Sequence, residues 1–255
     1  IQRTLLIRGL RPPFREGGFM PMQRKHTFFF IQTLCILFLV LLSAPVKASI
    51  VITGTRVIYS QGERSVSVKL NNNGKSPVLI QSWVDDGVMS KSPDTSTAPF
   101  IVTPPINRVD PGKGQTLQIS FTGKHLPSDK ESVFWLNVLE VPARNSAKKD
   151  DNFLQIAFRT RIKLFYRPQA LQGKSIEAPD KLEWKTVDGK LQAINKTPWN
   201  VSISGVKANG KKTEGKMIAP FDAESFPLQV RHGQTIHFDA VNDYGAVTAK
   251  SAAVQ

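Results

Sequence analysis

A chain of 255 residues with 40% apolar and 21% charged content can fill one or two packed cores, which excludes a wholly disordered polymer. The formal charge of +14 overstates its basicity, because residues 1–48 hold seven of the 34 basic and one of the 20 acidic residues and leave a net +8 on the remainder. That is enough to draw an anionic partner, but no DNA- or RNA-binding motif accompanies it, and a cleft that attracts anionic protein termini is the alternative.

Residues 1–21 lie upstream of Met22, where the signal-like stretch starts, and read as an upstream extension with no assigned function. Residues 22–48 have the layout of a secretory signal: Arg24 and Lys25, an apolar run from Phe28 to Leu42, then Val46 and Ala48 before a cut expected after Ala48. The run is short for a membrane span, which needs about 20 residues. Cys35, the single cysteine, lies inside it, so the mature chain is expected to hold no disulfide and no thiol-based site.

From Ser49 the chain reads as strands. "IVITGTRVIYS" alternates and is β-branched. "RSVSVKLNNNGKSPVLIQSWVDD" is two strands around an Asn-Asn-Gly turn, and "FIVTPPINRVDPGKGQTLQISFTG" is two more broken by Pro-Pro and Asp-Pro-Gly. "SVFWLNVLEVP" and "NFLQIAFRTRIKLFYR" follow, and no segment carries a helical apolar period over a dozen residues. After a linker at 168–171, a second strand-rich block occupies 172–255. The pattern predicts two all-β sandwich domains, 49–167 and 172–255, with no visible repeat between them.

No catalytic constellation stands out. His26, His125, His232 and His237 lack metal-ligand spacing, "GKGQT" at 112–116 is a turn rather than a phosphate loop, and no Gly-x-Ser-x-Gly elbow occurs. The sequons at Asn195 and Asn200 are short matches of a kind common by chance. No cofactor, nucleic acid or small-molecule substrate is expected.

The stretch "DNFLQIAFRTRIKLFYRP" at 151–168 is unusual. Read as one strand from Phe153 to Tyr166, it would span roughly 46 Å, longer than most strands. Leu154, Ile156 and Phe158 alternate with polar or small residues, and alternation alone favours the protein's own core as their destination. Arg159, Arg161 and Lys163 then turn the strand basic.

"LPSDKESVFWLNVLEVP" at 126–142 resembles the signature of the periplasmic pilus (fimbrial) assembly chaperones, with Leu126, Pro127, Asp129, Lys130, Glu131, Ser132, Phe134, Trp135, Asn137, Val141 and Pro142 all matching. "GTRVIY", "PFIVTPPINRVDPGKGQTLQI", "IKLFYRP", "TPWNVSISG" and "VNDYG" follow the family order, so the resemblance covers residues 50–245. It implies two immunoglobulin-like β-sandwiches set at an angle around a cleft, a periplasmic location, and partners that are pilus subunits and an outer-membrane usher. The last strand of the first domain would complete a subunit's sandwich, a known instance of strand addition, with Leu154, Ile156 and Phe158 as its anchors. By the same resemblance Arg56 and Lys163 would hold the subunit's C-terminal carboxylate, and Glu131, Arg167 and Asp243 would form an ionic network between the domains. Because Lys163 has the opposite parity to the three anchors, a bulge or strong twist is expected between Phe158 and Lys163. The short segment Ala143–Asn152 and the missing cysteine pair resemble the short-loop type. The competing reading is a secreted β-sandwich subunit or adhesin of a surface fibre.

Overall fold

Alternating side chains and frequent turn residues produce strands almost throughout. The computed structural model describes residue 32 and residues 49–90, 92–142 and 156–255; the expected signal segment (apart from residue 32), the 143–152 loop and Leu154 lie outside the described residues. The first nine strands are β1 (Ile50–Ile52), β2 (Arg56–Ser60), β3 (Val66–Asn72), β4 (Val78–Asp85), β5 (Phe100–Thr103), β6 (Ile106–Val109), β7 (Gly114–Phe121), β8 (Ser132–Pro142) and β9 (Phe158–Arg167). They form two sheets, ordered β1-β3-β7-β5 and β2-β9-β8-β4-β6, the arrangement of an immunoglobulin-like sandwich. Their inner faces enclose one core, with Tyr59, Phe100, Phe134 and Tyr166 at one end and Leu70, Ile80, Leu117 and Leu136 deep inside.

Eight further strands build the second sandwich: β10 (Glu183–Val187), β11 (Lys190–Ile194), β12 (Val201–Ala208), β13 (Lys211–Glu214), β14 (Met217–Ile218), β15 (Ala223–Gln229), β16 (Thr235–Val241) and β17 (Val247–Ala253). The sheets are β10-β11-β15 and β13-β12-β16-β17, with β14 added to β12. A separate core gathers Trp184, Leu191, Ile218, Phe226, Ile236 and Phe238. The chain is therefore all-β with two sandwiches, as the strand pattern predicts, and both are immunoglobulin-like, as the resemblance implies. Residues 49–255 belong to one unit, within which the two sandwiches touch.

The strands flanking Asn-Asn-Gly do not pair with each other: β3 joins β1 and β7, while β4 joins β8 and β6. The reason is Asn72, fully buried between the sheets. Its amide donates to the carbonyls of Ser76 (2.9 Å) and Val109 (2.9 Å), and its Oδ1 accepts from the Gly74 N–H (2.9 Å), so the chain crosses from one sheet to the other. Asn195 repeats this device in the second sandwich. Its Oδ1 accepts from Thr197 N–H (3.0 Å), and its Nδ2 donates to the carbonyls of Trp199 (2.7 Å) and Ile218 (3.2 Å). The two domains thus share a structural repeat that the residue pattern conceals. The Asn195 sequon is structural, since its amide is buried and fully hydrogen-bonded.

The fourteen-residue strand expected from Phe153 to Tyr166 is shorter and shifted: β9 runs from Phe158 to Arg167, and residues 156–157 are irregular. The final β8–β9 pair is Glu140 with Phe158; β8 runs on to Pro142, but residues 156–157 opposite its end do not join the ladder. The bulge expected between Phe158 and Lys163 is also absent. The β8–β9 register is unbroken from Phe158↔Glu140 to Tyr166↔Ser132, so Phe158 and Lys163 sit on opposite faces of one regular strand.

Candidate functional site

Two cations meet where β2 pairs in parallel with β9, with Arg56 opposite Lys163. Arg56 Nη1 donates to the Val241 carbonyl of the second sandwich (3.1 Å), and Lys163 Nζ reaches Ser202 Oγ there (3.3 Å). Among the described residues neither is bonded to a carboxylate, and the buried Arg56 Nε has no hydrogen-bond partner. Burial, then the neighbouring Arg56 charge, pulls Lys163 down to about 8. Burial likewise lowers Arg56, with Asp243 and Glu131 opposing the shift and Arg167 adding to it. The pair is a partly dehydrated cationic site suited to a small anion.

Glu131, Arg167 and Asp243 come together at the junction of the sandwiches. Arg167 Nε donates to Glu131 Oε1 (2.6 Å), and its Nη1 and Nη2 form a fork onto Asp243 (2.7 Å each). Ser175 Oγ adds a bond to Asp243 (2.8 Å), Asn200 donates backbone and side-chain N–H groups to Glu131 Oε2 (3.1 and 3.0 Å), and the guanidinium stacks over Trp199 at 5.2 Å. A cavity of about 370 Å³ opens here, lined by Arg56, Glu131, Arg167, Ser202, Asp243 and Lys250 among others. Lys163 does not line it but bonds Ser202, which does.

The β2–β9 ladder covers only Lys163 to Arg167. Residues 158–162 pair with β8 on one side and have no strand on the other among the described residues. On the face that buries Ile162, Leu164 and Tyr166, Phe158 is 63% exposed; Ile156, just before the strand, is 53% exposed. Neither belongs to the core that alternation alone assigns them to. Leu154 lies outside the described residues.

Residues 49–172 match the family model described as pili and flagellar-assembly chaperone, PapD N-terminal domain, and residues 177–252 match the pili assembly chaperone PapD, C-terminal domain. The chain belongs to the pilus-assembly chaperone family. The chaperone is 44% identical over 223 residues to chaperone protein FimB/FhaD of Bordetella pertussis, covering 84% of this chain and 91% of that protein. It is 44% identical over 243 residues to the probable fimbrial chaperone YadV of Escherichia coli K12, covering 89% and 97%. The crystal structure of YadV superposes with a TM-score of 0.68 over 81% of this chain and all of that one. A Salmonella enterica structure of the SafA pilin in complex with the SafB chaperone matches at 28% identity and a TM-score of 0.71, covering 82% and 98%. The family consists of assembly chaperones, not enzymes.

Strand-pattern reasoning passed over one part of this chaperone. Arg159 and Arg161 project from β9 on the face of Lys163 and converge on Asp85, which is fully buried in β4. Arg159 Nη2 donates to Asp85 Oδ2 (3.0 Å) and Arg161 Nη2 to Oδ1 (2.7 Å), while both Nε atoms share Asn137 Oδ1 (2.9 and 3.0 Å). The guanidiniums lie over Trp83 (4.7 Å) and Trp135 (5.0 Å). The available signal was the matched period-two spacing of Trp83/Asp85, Trp135/Asn137 and Arg159/Arg161, which has meaning only once the three strands are known to be neighbours.

Replacing Arg167 with Ala strands Glu131, which is 3% exposed, and leaves Asp243 without its fork. Loss of one partner from a buried pair costs several kcal/mol, and about 2–3 is expected here because Asp243 is partly solvated. In calorimetry the two sandwiches of Arg167→Ala should melt as separate transitions; a single wild-type transition would contradict a linking role.

Proposed function

We propose that the protein is a periplasmic chaperone that holds pilus subunits by adding β9 to their incomplete sandwich and passes them to an outer-membrane usher. The observation that carries this reading is the half-open ladder of β9, in which residues 158–162 pair with β8 and have no second strand beside them among the described residues, next to exposed Phe158 and Ile156. An unpaired edge flanked by exposed apolar side chains is an aggregation hazard unless it has a partner. Main-chain bonds there supply sequence-tolerant affinity, and alternate side chains fill pockets. Arg56 and Lys163 form the anchor for the subunit's terminal carboxylate, and the Glu131–Arg167–Asp243 network holds the two sandwiches in the relation the anchor needs. Residues 22–48 serve as the signal that delivers the chain to the periplasm. Co-purification from periplasm with mass spectrometry of the bound protein tests the reading: the partner expected is a pilus subunit, and recovery of the chain alone from cells assembling the matching pilus would overturn it.

The anchor carries a pH dependence. Lys163 titrates at about 8 in the free protein, and a bound carboxylate raises that value. Binding then takes up a proton above pH 8. Affinity is full below that pH and declines as pH rises from there toward the complex's higher value. Isothermal titration at pH 7 and pH 9.5 should show the drop, and Lys163→Arg should remove it; equal affinity at both pH values in the wild type would contradict the anchor role of Lys163.

A further inference from the structure

Residues 158–162 should fray by the ordinary rules of strand stability. Among the described residues they have one neighbouring strand rather than two, and Phe158 and Thr160 on the core-side face are exposed, so packing there does little to hold the backbone. What fixes the segment lies on its other face. Arg159 and Arg161 spread four hydrogen bonds over Asp85 and Asn137, Arg159 Nη1 adds a bond to the Met89 carbonyl (2.8 Å), and the two guanidiniums stack on Trp83 and Trp135. Asp85 is itself held by Asn137 Nδ2 (2.8 Å) and the Gly87 N–H (2.8 Å). A carboxylate with no exposure, satisfied by four donors including two guanidiniums, is a rigid fixture in the β4–β8 floor.

We propose that Asp85 and Asn137 act as positioning residues that hold residues 158–162 as a preformed open-edged strand, through Arg159 and Arg161, before any subunit arrives. This rests on the reading of β9 as the strand lent to subunits. Its benefit is preorganisation: a strand already extended does not lose its ordering entropy at the moment of capture, so association is faster than for a frayed segment. The arginines are thereby separated in role from Lys163, which shares their face but reaches toward the second sandwich.

Hydrogen exchange on the free full chain tests the holding without any partner. In Asp85→Asn, amides of residues 158–162 should exchange at least about 10-fold faster, while those of 163–167 and of the second sandwich change little. Arg159→Lys, which leaves Asp85 paired to Arg161 and so keeps the fold even where Asp85→Asn does not, should show the same local acceleration to a smaller degree. In both variants the association rate with a refolding pilus subunit should fall in step with the exchange. Unchanged exchange at 158–162 in Arg159→Lys, or acceleration spread evenly over the first sandwich, would overturn the proposal. Wild-type protein that captures no subunit while its 158–162 amides stay protected would instead remove the donor-strand reading and leave the holding intact.

Discussion

Arg56→Ala and Lys163→Ala, each made alone, should fold normally and lose nearly all capture of a cognate pilus subunit. Their side chains face each other across the β2–β9 pairing, both are partly buried, and neither is bonded to a carboxylate among the described residues. Removing either from the free protein relieves a like-charge contact, so stability should hold or rise slightly. In the complex, the same deletion leaves the subunit's terminal carboxylate with one cation in place of two in a dehydrated site. Truncating one partner of a buried, hydrogen-bonded charge pair costs about 2–5 kcal/mol, or about 30- to 5,000-fold in affinity. Pull-down of a co-expressed subunit, with circular dichroism as the folding control, reads the outcome. Undiminished capture by both variants would remove the carboxylate anchor from this pair.

The second large effect is expected at Phe158. Its side chain is 63% exposed, on the same face of β9 as Leu164, which is fully buried. Phe158→Glu therefore introduces a charge at a site that water already reaches in the free chaperone, and its melting temperature should stay within about 3 °C of wild type. Once β9 enters a subunit groove the same charge is buried without a partner, and capture should fall by about 100-fold or more. Leu164→Glu, six residues on and of the same parity, should fail to fold at all. That contrast separates a side chain displayed for a partner from one used by the protein's own core. Unfolding of Phe158→Glu in the absence of any subunit would assign Phe158 to the internal core. Ile156→Glu should behave as Phe158→Glu does, since Ile156 is also exposed.

How much of this was legible in the residues follows from the range of the interactions involved. Alternation has a period of two and is a local property, so the all-β class, the turns and the face on which each β9 residue lies could be read directly. Parity already implied that Phe158 and Lys163 oppose each other. The expectation of a bulge to reconcile them arose from assuming that anchor and cation must share a face. The Asn-Asn-Gly stretch was legible as a turn, but its destination was not: Asn72 is bonded to Val109, far along the chain, and that bond sends β4 into the other sheet.

Composition, charge and the run of typed positions at 126–142 were sufficient by themselves for a two-domain β-sandwich chain of the pilus-assembly chaperone family. Which part of β9 has a free edge was decided by tertiary structure alone. It depends on where β2 begins to pair, at Arg56 with Lys163, and β2 is a segment distant in the chain. The same holds for Asp85. Nothing local to it announces two arginine partners, because strands β4, β8 and β9 become neighbours only after the sheet assembles, and a buried carboxylate persists there only because that assembly brings its donors.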